Sequence, residues 1–113
     1  MTDVVYIDDE PMLCRIFQRF LARAGTDVLT FTDPREGLRY VNEHPPKVIL
    51  CDQRMPGMSG SALFEELEVD VPFILISGDL DTDDQLPEGM RAVLSKPLSP
   101  HHLVETVHGI LQG

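Results

Sequence analysis

Lysine occurs only at Lys47 and Lys96, and the nine basic side chains face nineteen acidic ones. The formal charge of −10 leaves no basic footprint of the kind that holds a phosphate backbone, so direct nucleic-acid binding is set aside. Cysteine is limited to Cys14 and Cys51, far apart and without a CxxC partner. They read as small buried residues in a reducing compartment, neither a disulfide nor a zinc site, and a cytoplasmic location is expected. No apolar run approaches the roughly 20 residues of a membrane span, and the first residues lack the basic-then-apolar order of a secretory signal. Internal repeats and low-complexity tracts are absent as well. With 113 residues, 42% of them hydrophobic, the chain suits one domain around one core, expected over 1–113.

Short apolar runs alternate with helical patterns. Val4 to Ile7 reads as a strand, and Pro11 suits the first turn of a helix that carries Leu13, Ile16, Phe17, Phe20, Leu21 and Ala24 until Gly25. Val28 to Phe31 is a second strand. Asp33-Pro34-Arg35-Glu36 combines an N-cap, a proline and a capping-box acid before a helix that runs to about His44. Val48 to Cys51 forms a third strand, ending at Asp52, and a loop with Pro56 and Gly57 leads to a helix over 59–68. Phe73 to Ile76 and Ala92 to Leu94 are the fourth and fifth strands, and Ser99-Pro100 caps a last helix with Leu103, Val104, Val107, Ile110 and Leu111. This order predicts an α/β fold: a five-stranded parallel sheet of flavodoxin-like order 2-1-3-4-5 with helices on both faces. Between strands four and five, residues 79–89 hold five acids and no base, closed by Pro87 and Gly89, so the fourth helix is expected to be short and mobile.

The first strand ends in Asp8-Asp9-Glu10, three like charges at the rim of a core, an arrangement that resists desolvation. In an open parallel sheet, ligands bind beyond the carboxyl ends of the strands. There Asp8 and Asp9 follow strand one, Asp52 strand three, Ser77 strand four and Lys96 strand five. Three carboxylates make a hard-oxygen site suited to Mg²⁺, and with a lysine and a hydroxyl they cradle a phosphoryl group. One carboxylate could itself be the nucleophile.

Asp8-Asp9, Asp52-x-x-Met55-Pro56-x-x-x-Gly60, Ser77-Gly78 and Lys96-Pro97, in this order, resemble the receiver domain of two-component response regulators over essentially the whole chain. The resemblance implies that Asp52 is the phosphoacceptor. It also implies that Asp9, Asp52 and the backbone carbonyl of Arg54 hold Mg²⁺, with Asp8 acting through a coordinated water. Lys96 would pair with a phosphoryl oxygen, Ser77 would hydrogen-bond another, and the Lys96–Pro97 bond would be cis. The implied partners are a sensor histidine kinase or phosphotransfer protein as donor, or a small acyl phosphate, and a downstream output domain or protein.

Two features depart from that family. Val93 stands three residues before Lys96, where receivers carry Tyr or Phe, and an aliphatic residue cannot make the ring's inward swing. The span from Ser77 to Lys96 is also short, which argues against the common dimer through that face. Arg54 and Asp79, each two residues past a site residue, could pair across the phosphoryl group.

Other readings are weaker. A magnesium-dependent phosphatase would carry a general acid where Arg54 stands, and a flavin carrier would find its phosphate repelled by Asp8-Asp9-Glu10. A docking module that is never phosphorylated would have no need of the intact acid, serine and lysine set. Asp79-x-Asp81-x-Asp83 imitates a calcium loop, but Asp84 and Met90 replace its glycine and final acid, so it reads as a solvated acidic loop. His101, His102 and His108 read as surface residues, and Met55 and Met58 as core packing from a loop.

Overall fold

The computed structural model describes residues 2–78 and 89–112. Its strands are β1 (Val4–Ile7), β2 (Val28–Phe31), β3 (Val48–Asp52), β4 (Phe73–Ser77) and β5 (Ala92–Ser95). The helices are α1 (Pro11–Arg23), α2 (Pro34–Glu43), α3 (Gly60–Glu65) and α4 (Pro100–Gln112). All strand pairs are parallel, in the order β2-β1-β3-β4-β5, as the alternation of runs predicted. The expected short helix between β4 and β5, and Asp79 as a partner for Arg54, lie outside the described residues.

In place of the one core expected from length, strand alternation splits the sheet's side chains between two cores, one on each face. Val4, Tyr6, Leu50, Ile74, Ile76 and Leu94 face α1 and α4, meeting Phe17, Leu21, Leu103 and Val107. Val5, Ile7, Ile49, Cys51, Phe73 and Leu75 face the other way, onto Val41 and Leu63 of α2 and α3. β1, β3 and β4 are buried along their whole length. That is why these strands read as continuous apolar runs.

The helix ends follow local chemistry. Gly25, at φ 84°, closes α1: Thr26 N–H donates to Leu21 O and Gly25 N–H to Ala22 O, a Schellman pair. Asp33 caps α2 by accepting from Arg35 N–H, and Ser99 caps α4 by accepting from His102 N–H. α3 is shorter than the 59–68 its sequence predicts. The Asn42 side chain on α2 accepts the Glu68 N–H at 2.8 Å, a donor that a longer helix would need internally. Each of β3, β4 and β5 runs one residue past its expected end, which brings Asp52 and Ser77 into the ladder itself.

Candidate functional site

Asp52 is the last residue of β3 and only 3% exposed. Lys96 Nζ, reaching over from just beyond β5, lies 2.7 Å from Asp52 Oδ1. Ser77 ends β4 beside Ser95 and is buried, and its carbonyl accepts the Lys96 N–H at 3.0 Å. Asp8 follows β1 and is buried, with Oδ1 accepting from Glu10 N–H at 3.0 Å and Oδ2 from the Tyr6 hydroxyl at 3.1 Å. Asp9 is half-buried beside it. Asp8, Asp9 and Asp52 each offer an oxygen, and the three lie within 4.8 Å of one another. Four strand ends, far apart in sequence, thus bring the expected acids, serine and lysine together.

The electrostatics follow from burial. Desolvation pushes the Asp8 carboxyl above the usual 3.8; the Glu10 N–H opposes this, and the charge of Asp52 adds to it. Desolvation also raises Asp52, against the pull of Lys96, while Asp9 and Glu10 add repulsion. Burial alone would lower Lys96, but its bond to Asp52 and the surrounding acids outweigh that, so its pKa is raised above 10.5. A divalent cation among these oxygens would relieve both the repulsion and the desolvation, and the three convergent carboxylates fit a hard cation.

The loop after Asp52 is built to hold its shape. Gln53 N–H donates to Ile76 O, and Gly60 N–H donates to Gln53 O. Gln53 Oε1 accepts from both the N–H and the hydroxyl of Ser61, at 2.8 and 3.0 Å. Met55 and Met58 are buried in the α2/α3 core, the loop packing expected of them, and Arg54 is exposed between Gln53 and Met55. The Lys96–Pro97 peptide is cis. Val93 is partly buried against the Phe73 side of the core.

The chain's other lysine takes no part: Lys47 pairs with Asp3 at 3.3 Å, beside the opposite end of β1. His101 and His102 are exposed, whereas His108 meets the buried Thr26 hydroxyl at 3.1 Å and is not a simple surface residue. Tyr6 and Gln53 were missed from sequence. Tyr6 was detectable, because residues i and i+2 of a strand share a face and Tyr6 stands two before Asp8. The Gln53–Ser61 pairing depends on how the loop folds back and left no signal.

Residues 4–108 match the family model of the response regulator receiver domain. The chain belongs to this family. The receiver is 31% identical to a probable transcriptional regulator ycf27 of Porphyridium aerugineum, over 96% of this chain and 48% of that protein. It is 34% identical to the transcriptional regulatory protein KdpE of Mycobacterium tuberculosis, over 86% of this chain and 45% of that one. The chain therefore spans about half the length of these relatives. A response regulator receiver domain from Clostridium thermocellum superposes with a TM-score of 0.88 at 26% identity, covering 99% of this chain and 95% of that one. The chemotaxis protein CheY4 of Vibrio cholerae shares the fold, with a TM-score of 0.86 at 24% identity over 97% of this chain and 98% of its own. This is a signalling domain of the two-component class, with an acidic pocket suited to a metal and, among the described residues, no helix long and apolar enough to cross a membrane.

Proposed function

We propose that the receiver takes a phosphoryl group onto Asp52 and that the aspartyl phosphate switches its interaction with a partner. The observation that carries this is the buried Asp52 carboxylate, held by Lys96 at 2.7 Å inside a cluster of three carboxylates at the ligand-binding end of the sheet. Asp52 attacks the phosphorus of a phosphohistidine or an acyl phosphate. A new O–P bond forms as the donor's bond to phosphorus breaks, and the leaving group keeps the electron pair. Lys96 exchanges its contact with Asp52 for a phosphoryl oxygen, and the Ser77 hydroxyl donates to another. Asp9, Asp52 and the Arg54 carbonyl would hold Mg²⁺, with Asp8 acting through a coordinated water. Bound there, Mg²⁺ supplies positive charge against the phosphoryl oxygens. Attack by water on the aspartyl phosphate restores Asp52, so the domain resets itself and turns over no outside substrate.

Residues 1–113 act as one receiver unit in the cytoplasm. The phosphoryl donor is a sensor histidine kinase or a phosphotransfer protein, and the reader is an output domain or protein. The charge of −10 leaves DNA contact to that output. The test is intact-protein mass after incubation with acetyl phosphate, with and without Mg²⁺, on the native chain and on Asp52→Asn. A magnesium-dependent gain of one phosphoryl group, lost in Asp52→Asn, is expected; no gain under either condition would refute the reading.

A further inference from the structure

Tyr6 approaches the acid cluster from inside the core. Its ring lies in the α1/α4 core, 1% exposed, stacked on Phe17 with centroids 5.7 Å apart. Its hydroxyl donates to Asp8 Oδ2 at 3.1 Å, while Asp8 Oδ1 accepts the Glu10 N–H at 3.0 Å. Two donors, one on each oxygen, thus fix the plane of a fully buried carboxylate. The Glu10 N–H belongs to the backbone and comes with any side chain at Asp8 that turns the chain. The Tyr6 hydroxyl is a separate choice, since β1 needs only apolar bulk at that position to fill the core.

We propose that Tyr6 is a positioning residue for the cation site, its hydroxyl setting the orientation in which Asp8 serves the metal. This rests on the reading that Asp8, Asp9 and Asp52 bind Mg²⁺. Without the hydroxyl, Asp8 Oδ2 is left buried with no donor from the core, and the carboxylate turns about its one remaining bond. Donors behind a metal site of this kind are worth roughly ten- to a hundredfold in metal affinity. With the Glu10 bond retained, Tyr6→Phe belongs at the lower end. Tyr6→Phe keeps the ring and its stack on Phe17, so it removes the hydrogen bond and little else.

Two measurements test this, both with Mg²⁺ alone as the probe. Calorimetric titration of the native chain and of Tyr6→Phe is expected to give about tenfold weaker binding in the variant. The chain has two tyrosines and no tryptophan, so in Tyr40→Phe the emission comes from Tyr6 alone. A phenol bonded to a bare carboxylate is quenched, and a cation that draws on Asp8 relieves the quenching. Emission from Tyr40→Phe is therefore expected to rise with Mg²⁺, at the midpoint found by calorimetry. A role confined to packing would leave that emission flat. Equal affinities within twofold, or flat emission at saturating Mg²⁺, would overturn the proposal while leaving the receiver chemistry intact. A native chain that binds no Mg²⁺ would remove both. If Tyr6→Phe does not fold, the emission of Tyr40→Phe decides alone.

Discussion

Gly60 lies so close to Asp52 that a Cβ there would sit 2.6 Å from the Asp52 carbonyl oxygen and 2.6 Å from Leu75 Cδ1. Neither neighbour can easily give way, since one is strand backbone and the other a core side chain. Gly60→Ala is therefore expected to cost about 1–3 kcal/mol, the usual range for forcing an extra carbon into a packed site. Because the clash falls on the backbone of Asp52, labelling by acetyl phosphate should slow as well. Urea unfolding and labelling rate check the two effects, and a stability unchanged from native would contradict the contact. Ala62 faces the same core a half-turn later and already carries a Cβ, so Ala62→Gly serves as a control that loses stability without touching the backbone of Asp52.

At the scale of the element, α1 carries information in two directions. Its inner side, Cys14, Phe17 and Leu21, anchors the core. Its outer side presents Met12, Ile16 and Phe20, exposed by 70%, 39% and 36%, at successive i, i+4 positions. The sequence pattern counts Ile16 and Phe20 among the residues marking the helix, but the structure places them outside the core. Arg15, Arg19 and Arg23 line a shallow groove with Ile16 and Phe20, three of the nine bases on a chain of net charge −10. The helix starts directly after Asp8-Asp9, so this apolar and basic stripe begins beside the acid cluster. On the proposed function, a protein donor brings its phosphoryl group to Asp52 and docks nearby, whereas acetyl phosphate needs no surface. The double variant Ile16→Ser with Phe20→Ser is therefore expected to lose at least about tenfold in transfer from the kinase, the effect of losing a small number of central anchors. Labelling by acetyl phosphate should be unchanged. Equal loss with both donors would place the defect in the site and not on the helix face.

For the whole molecule, the raised carboxyls link stability to pH. Asp8 and Asp52 titrate above 3.8 in the folded chain, so between 3.8 and their folded values the native state binds more protons than the unfolded one. Metal-free stability is thus expected to rise as pH falls from neutrality through those folded values. Asp3 works in the opposite sense: its carboxyl is lowered, chiefly by the Asp27 N–H, so its contribution is lost only below 3.8. Lys96 is raised and contributes steadily until alkaline pH. Magnesium at ten times its dissociation constant should add roughly 1.4 kcal/mol near neutrality, less in acid as protons compete for the same oxygens. Urea midpoints from neutrality down to pH 3.8, with and without Mg²⁺, test both signs. A metal-free midpoint that falls on acidification across this range would contradict the site's electrostatics.

The sequence by itself determined the sheet order, because apolar runs buried on both faces and helices between them leave few parallel arrangements. It also determined the placement of Asp8, Asp9, Asp52, Ser77 and Lys96, because a residue ending a strand ends at the same edge of a parallel sheet whatever the side chains do. The tertiary structure alone decided where α3 stops, since Asn42 lies 26 residues from the Glu68 N–H it takes. It decided that His108 meets Thr26, 82 residues away, and that Ile16 and Phe20 face outward from a helix whose pattern does not tell its two apolar sides apart. It also decided that Lys96, 44 residues further on, closes on Asp52 at 2.7 Å. Periodicity and strand ends are local properties of the chain and can be read along it. Which donor reaches which acceptor depends on distances across the fold, and those exist only once the layers have packed.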